Sequence, residues 1–182
     1  MMNRVLLKFK SISQIVGADG LSVVILTDPA EQRALSVICD KAMTEQLQLR
    51  ITLLEHHHKL LPEVLLSMLL SQGSIEDYEL MVYDVSDGQY KATLLNKTTL
   101  TLRAIRMSDA VLLALISDIP LYIKQELMDK QSSPYTPESN GIQIPINTLE
   151  TQRLNEELEK AVKEENYRLA SFIHKELKRR EK

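Results

Sequence analysis

The chain has no tryptophan, two phenylalanines and one cysteine among its 182 residues. With aromatics at 4%, platforms on which nucleobases could stack are scarce. The single thiol, Cys39, excludes an internal disulfide and fits a reducing, cytoplasmic setting. It reads as a small buried hydrophobe at a strand end rather than as a nucleophile. Long apolar runs are missing as well. Nothing approaches the ~20 residues a membrane-spanning helix needs, so no membrane partner is expected. The first ten residues, MMNRVLLKFK, hold neither a long apolar core nor a small-residue cleavage site, and are read as no signal peptide. No phosphate loop or other motif supports a small-molecule sensor.

What is present is the composition of an ordinary globular protein, 44% hydrophobic and 26% charged. The length allows one full core and a small appendage. Charge is unevenly spread. Residues 1–149 hold 13 Lys+Arg against 17 Asp+Glu, a net of −4, while residues 150–182 hold 9 against 8, a net of +1. Nucleic-acid affinity comes mostly from basic groups on phosphates, so an acidic main domain needs a local basic patch to bind a strand.

In chain order, alternation predicts a strand from Arg4 to Val16, closed by Gly17 and Gly20. Leu21 to Thr27 and Arg33 to Ile38 form a hairpin about Asp28-Pro29, and Asp40 caps a helix through about Gln48. Arg50 to Glu55 reads as a strand. The run His56-His57-His58 points in three directions and lacks i+4 partners, so it reads as a solvated loop rather than a metal site. Pro62 opens a helix through about Ser71. Tyr78 to Val85 and Gln89 to Asn96 flank Asp87-Gly88, the clearest hairpin signal in the chain, and Thr98 to Ile105 adds a third strand. Residues 131–149, with three of the six prolines, read as a linker between a domain over 1–130 and a helical hairpin over 150–182. The fold class is therefore α+β: a largely antiparallel sheet with two or three packed helices, followed by a C-terminal α-helical hairpin.

The organising stretch is Arg103 to Ile123. Ser108 and Asp109 are good helix openers, Ala110 to Ile116 is apolar nearly all round, and Ser117-Asp118 ends the helix. Such a helix should be covered on both sides. Leu121, Tyr122 and Ile123 after Pro120 read as a buried strand. The order Arg106, Ser108, Asp109, apolar helix, Pro120-x-Tyr122-Ile123 resembles the signature of the bifunctional nuclease domain family. Asp87-Gly88 and Tyr90-Lys91-Ala92 match the family's turn and strand. Departures occur at Ala104 for a usual Asp, Met107 beside Arg106, Cys39 for a Gly, Ala42 for a Glu, and Leu61-Pro62-Glu63-Val64 near the usual Thr-His-Asp.

After the linker, Leu154, Leu158, Ala161 and Val162 fall on one helical face, and Ala170, Ile173 and Leu177 on another. With Glu165, Asn166 and Tyr167 between them, the pattern resembles the UVR motif of the UvrB and UvrC repair proteins, with His174-Lys175 where Arg-Asp is usual. That resemblance implies a protein-interaction hairpin, with Leu154, Leu158, Val162, Tyr167, Ala170, Ile173 and Leu177 as the partner-binding residues. The two motifs occur in this order in bacterial proteins.

The first resemblance implies an often oligomeric α+β domain that cleaves DNA and RNA without sequence specificity. Phosphodiester hydrolysis needs charge stabilisation at phosphate and a positioned base or metal-held water. Arg106 could hold phosphate, Ser108 accompanies it, and Asp109 could hold water or a Mg or Mn ion. Arg103 and Asp84 are weaker additions. The competing reading is structural, with Asp109 capping the helix and pairing with Arg106. Two hypotheses follow: a metal-dependent nuclease with DNA or RNA as substrate, or a non-catalytic oligomeric scaffold whose hairpin recruits a protein.

Overall fold

The computed structural model describes residues 3–15, 21–52, 59–71, 73–135 and 149–180. The three histidines and most of the expected linker lie outside the described residues. Eight strands form one sheet in the order β6-β5-β4-β7-β1-β2-β3-β8. They are β1 (Arg4–Gln14), β2 (Leu21–Thr27), β3 (Arg33–Asp40), β4 (Tyr78–Ser86), β5 (Gln89–Asn96), β6 (Thr101–Arg106), β7 (Leu121–Lys124) and β8 (Ser133–Pro134). Helices α1 (Lys41–Thr52), α2 (Leu61–Leu70), α3 (Met107–Ile116) and α4 (Gln125–Gln131) belong to this domain, and α5 (Thr151–Lys163) and α6 (Tyr167–Arg180) form the C-terminal hairpin. The fold is α+β, as the patterning predicts, although four helices rather than two or three accompany the sheet. No described helix is long and apolar enough to cross a membrane.

Each half of the sheet is a three-stranded meander, and its hydrophobic pattern explains its depth. In β2, Val24 and Leu26 face the main core, while Val23 and Ile25 join Ala34 in a second cluster against Ile15, Ile38 and Tyr135. A strand buried on both faces needs an unbroken apolar run, which Leu21 to Leu26 supplies almost entirely. In the other half, Asp87 and Gly88 have φ of 50° and 73°, and Ser86 pairs with Gln89. Two left-handed residues make the primed turn whose twist matches antiparallel strands, hence the Asp-Gly pair.

The halves meet at the one parallel pairing of the sheet, where Leu80, Met81 and Val82 of β4 register with Leu121, Tyr122 and Ile123 of β7. Arg4 on β1 reinforces this seam. Its Nη1 reaches both carboxylate oxygens of Glu79 at 2.8 and 2.9 Å, and its guanidinium lies 4.0 Å from the centre of the Tyr122 ring. Three neighbouring strands are thus tied by one side chain.

Helix α3 crosses the concave side of this sheet and touches β3 as well as β4, β5, β6 and β7. Since four strands separate β3 from β5, the sheet curls around the helix. Met107, Ala110, Val111 and Leu112 are buried, but Leu113 to Ile116 are only half-buried, so the helix is covered less completely than its apolar run suggests. It stops at Ser117, whose backbone N–H and hydroxyl both donate to the Leu113 carbonyl, at 3.0 and 2.6 Å.

Three expectations need correction. Residues 50–52 continue α1 instead of beginning a strand. Arg50 is buried there, donating Nε and Nη2 to Glu63 at 2.7 and 2.8 Å, and Nη1 to the Gln46 backbone and side-chain oxygens at 2.8 Å each. The linker also starts later than expected, since Ser133 and Pro134 pair with Ala34 and Arg33 along the edge of β3, a position where a proline costs no ladder bond. Finally, α4 was not anticipated. Its heptapeptide buries Leu127, Met128 and Gln131 beneath a polar surface, too short a pattern to declare a helical period.

The Arg50–Glu63 pair joins α1 to α2, with side chains 2% and 10% exposed. Removing one partner strands a buried charge. Arg50→Ala should therefore lower the unfolding free energy by about 3–5 kcal/mol in urea titration. A loss below ~1 kcal/mol, typical of exposed pairs, would contradict the assignment.

Candidate active site

Strand β6 runs directly into α3, so that Arg106 is both the last strand residue and the residue preceding the helix, with φ −65° and ψ 147°. Ser108 and Asp109 occupy the first helical turn. Arg106 donates Nε to Asp109 Oδ2 at 2.6 Å and Nη2 to Oδ1 at 3.1 Å. This two-point pair is open to solvent, with the arginine side chain 68% and the aspartate 33% exposed. The aspartate's hydrogen bond and charge hold the guanidinium pKa above its usual value. The expected Arg106–Asp109 pairing is present. The expected capping of the helix by Asp109 is not seen among the described residues, where both its oxygens accept from Arg106.

Beside the pair lies a cleft of about 680 Å³, within the range of ligand sites. Its walls come from both arms of the curled sheet: Val37, Ile38 and Asp40 of β3 on one side, and Gln89 to Ala92 and Ala104 to Arg106 on the other. Met107 and Ser108 close one end and Leu149, Glu150 and Arg153 another. Lys91 and Arg106 are direct partners across β5 and β6. Like charges at such positions repel, and Asp84, the partner of Lys91 on β4, offsets part of that repulsion. Among the described residues, the side chains of Lys91 and Arg153 make no hydrogen bond or ion pair. The two carboxylates of the cleft are engaged: Asp40 accepts the Met43 amide at 2.7 Å, and Glu150 accepts from Gln89 at 3.2 Å. Tyr90 also lines the cleft, with a buried hydroxyl that finds no partner among the described residues and a pKa pushed up by burial.

The family model of the bifunctional nuclease domain matches residues 24–136, which runs from within β2 through β8 and includes the β3, β5 and β6 residues of this wall. The chain belongs to the bifunctional nuclease domain family. No curated protein matches it. Membership suggests a nuclease-like function in general terms, and the hairpin falls outside the matched segment.

Within this family member, Arg106 and Ser108 line the cleft, Asp109 reaches it only through its pair with Arg106, and Arg103 and Asp84 do not line it. Arg103 is exposed on β6 and donates to the neighbouring Leu102 carbonyl at 3.1 Å. Lys91 and Arg153 are the cleft residues that motif reading missed. Counting the hairpin register from Asp87-Gly88 places Lys91 opposite Asp84, and its pairing with Arg106 is set by the β5–β6 turn; no sequence signal places Arg153 there.

A resident divalent ion does not fit. Both oxygens of Asp109 are engaged by Arg106, and among the described residues no group of three or more His, Cys, Asp or Glu side chains could hold a metal. Cys39 is also unsuited as a ligand or nucleophile. It is 1% exposed, and burial first, then the fields of Asp40 and Asp109 against that of Arg106, push its pKa up to about 12.

The hairpin is seated on the β4–β5 turn. Asp87 Oδ1 accepts from the Thr151 backbone at 3.2 Å, from the Thr151 hydroxyl, and from Arg180 Nη1 at 3.3 Å. Leu154, Ala170 and Ile173 are buried with Ala161, and Leu158 and Leu177 are half-buried. Of the seven residues expected to bind a partner, Val162 and Tyr167 remain exposed, at 51% and 69%.

Two measurements follow. Cys39 should resist a thiol reagent at pH 8 in the folded protein and react stoichiometrically in denaturant; rapid labelling of the native state would refute its burial. The Thr151 hydroxyl is the largest cause of a lowered Asp87 pKa, with its amide and Arg180 adding to it. A depressed carboxyl stabilises docking above the ordinary aspartate value of about 3.9, and that stability is lost as pH falls through the lower folded value. The Thr151 amide resonance should accordingly shift below pH ~3.9, and a flat titration from pH 6 to 2 would argue against the seat.

Proposed function

We propose that the chain hydrolyses phosphodiester bonds in DNA and RNA with little sequence specificity, at the mouth of the cleft beside Arg106. The observation carrying this reading is the solvent-open Arg106–Asp109 pair beside Lys91. A guanidinium offers five donors and Asp109 occupies two, so an arriving phosphate can share the arginine and then displace the carboxylate. Arg106 and Lys91 then stabilise the charge gathering on the phosphoryl oxygens, and the Ser108 hydroxyl donates to one of them. Asp109, released, accepts a proton from the attacking water. The water oxygen–phosphorus bond forms as the ester phosphorus–oxygen bond breaks, and the departing oxygen is protonated by solvent. No step is assigned to a metal ion. Low specificity fits a cleft with cations for backbone phosphates and few groups for base edges.

A second reading is a non-catalytic scaffold, favoured by the engagement of both Asp109 oxygens and by the exposed apolar stripe Leu61, Val64, Leu65 and Met68 on α2. On this reading α2 supports self-association, and the exposed Val162 and Tyr167 recruit a protein partner as a UVR-like hairpin would.

Plasmid DNA and RNA cleavage, with Mg²⁺, with Mn²⁺ and with a chelator, separates the two. Asp109→Asn should lose about 10²-fold or more in kcat while melting as the native chain does, the usual weight of a general base. Equal cleavage by both proteins, or none by the native chain, would leave the scaffold.

A further inference from the structure

We infer that the C-terminal hairpin is a wall of the substrate cleft, and that Arg153 is a phosphate-binding residue for a nucleic-acid strand lying along it. The inference rests on the proposed function only for the class of ligand, a phosphodiester strand, and not for the cleavage step.

The charge pattern carries the argument. Three cations, Lys91, Arg106 and Arg153, line one cleft with two carboxylates. Both carboxylates are satisfied by protein donors, Asp40 by the Met43 amide and Glu150 by Gln89. The Lys91 and Arg153 side chains make no hydrogen bond or ion pair among the described residues, and Lys91 stands between Arg106 on β6 and Asp84 on β4. An anion reaching the cleft would be attracted by Lys91, Arg106 and Arg153 together. The Tyr90 hydroxyl, unpartnered among the described residues, lies in the same wall.

The hairpin backbone places Arg153 at the cleft. Helix α5 begins there with Glu150 at its N-cap, and the Asp87 carboxylate accepts its first amide, that of Thr151, so the helix dipole is already met by carboxylates and the cation at this end is the Arg153 side chain itself. The seat of Thr151 and Arg180 on Asp87 fixes where this end lies. The turn that carries Asp87 leads directly into the strand that carries Lys91, so the seat sets Arg153 and Lys91 on the same cleft. An interaction hairpin merely tethered to the domain would need no such seat and no basic residue inside the cleft.

The test uses the full chain and a fluorescein-labelled 12-nucleotide single-stranded DNA in chelator. Anisotropy is followed as salt is varied, and the strand is checked on a gel after each titration. Compared with the native chain, Arg153→Ala should weaken binding about tenfold, and the slope of log K against log salt should fall by ~0.7, one phosphate contact on a single strand. Arg153→Lys should keep the slope, and Lys160→Ala, on the same helix but outside the cleft, should leave both unchanged. Native-like binding by Arg153→Ala overturns the inference even where the DNA is cut and Asp109→Asn abolishes cutting. No binding by the native chain at low salt overturns it too. Arg153-dependent binding of a strand that stays whole with Mg²⁺ or Mn²⁺ present would uphold it while removing the nuclease reading.

Discussion

The arrangement depends on the parallel seam between β4 and β7. Each meander could pair internally by short turns, but only the seam makes them one surface, and a parallel contact requires a crossover to bring the chain back in the same direction. That crossover is α3. The helix is therefore bound by its connections to lie across the sheet, and its apolar residues draw strands from both arms toward it. Leu80, Val82, Leu121 and Ile123, all essentially inaccessible, fill the seam from within. The Arg4 clamp on Glu79 and Tyr122 holds its edge. The cleft is a consequence: β3 and β5 can share one cavity only because the sheet between them is curled.

The site sits where this helix begins, for a reason rooted in the same geometry. A strand that turns immediately into a helix projects the residue at the junction outward while the following residues sink into the core. Arg106 is exposed and Met107 is buried, one residue apart. Asp109, three residues on, returns to the side of Arg106 and meets it. The spacing Arg-x-x-Asp across a strand-to-helix junction is thus sufficient to make the pair, and needs no long-range contact to form.

This locality explains what could be read from the residues alone. The Asp87-Gly88 turn, the β2 run, the Asp40 cap and the opening and end of α3 are short-range signals, and each was legible. Arg50 was not: a polar residue after a short helix suggests an edge, and only Glu63 in the next helix makes its burial tolerable. The same holds for β8, whose two residues have no strand character until the edge of β3 is present. In the hairpin, the apolar face was legible but not its occupant. The stripe that reads as a partner surface is largely consumed between α5 and α6, because two short helices bury each other's apolar faces first.

A net negative protein can still hold anions where its carboxylates are already bound. The acidic balance counts every Asp and Glu equally, yet Glu79 and Glu63 are each paired with a guanidinium and contribute little field outside their own contacts. What a strand would meet is the residual charge of the groups left over. Around the cleft those are cations, and the pair at its mouth is poised between two partners of similar chemistry. A carboxylate three residues away holds Arg106 at no entropic cost of assembly, whereas a phosphodiester must arrive from solution with the same single charge but can reach Lys91 as well. The exchange is favourable only if the second cation is within reach, and the cross-strand register of Lys91 with Arg106 meets that condition.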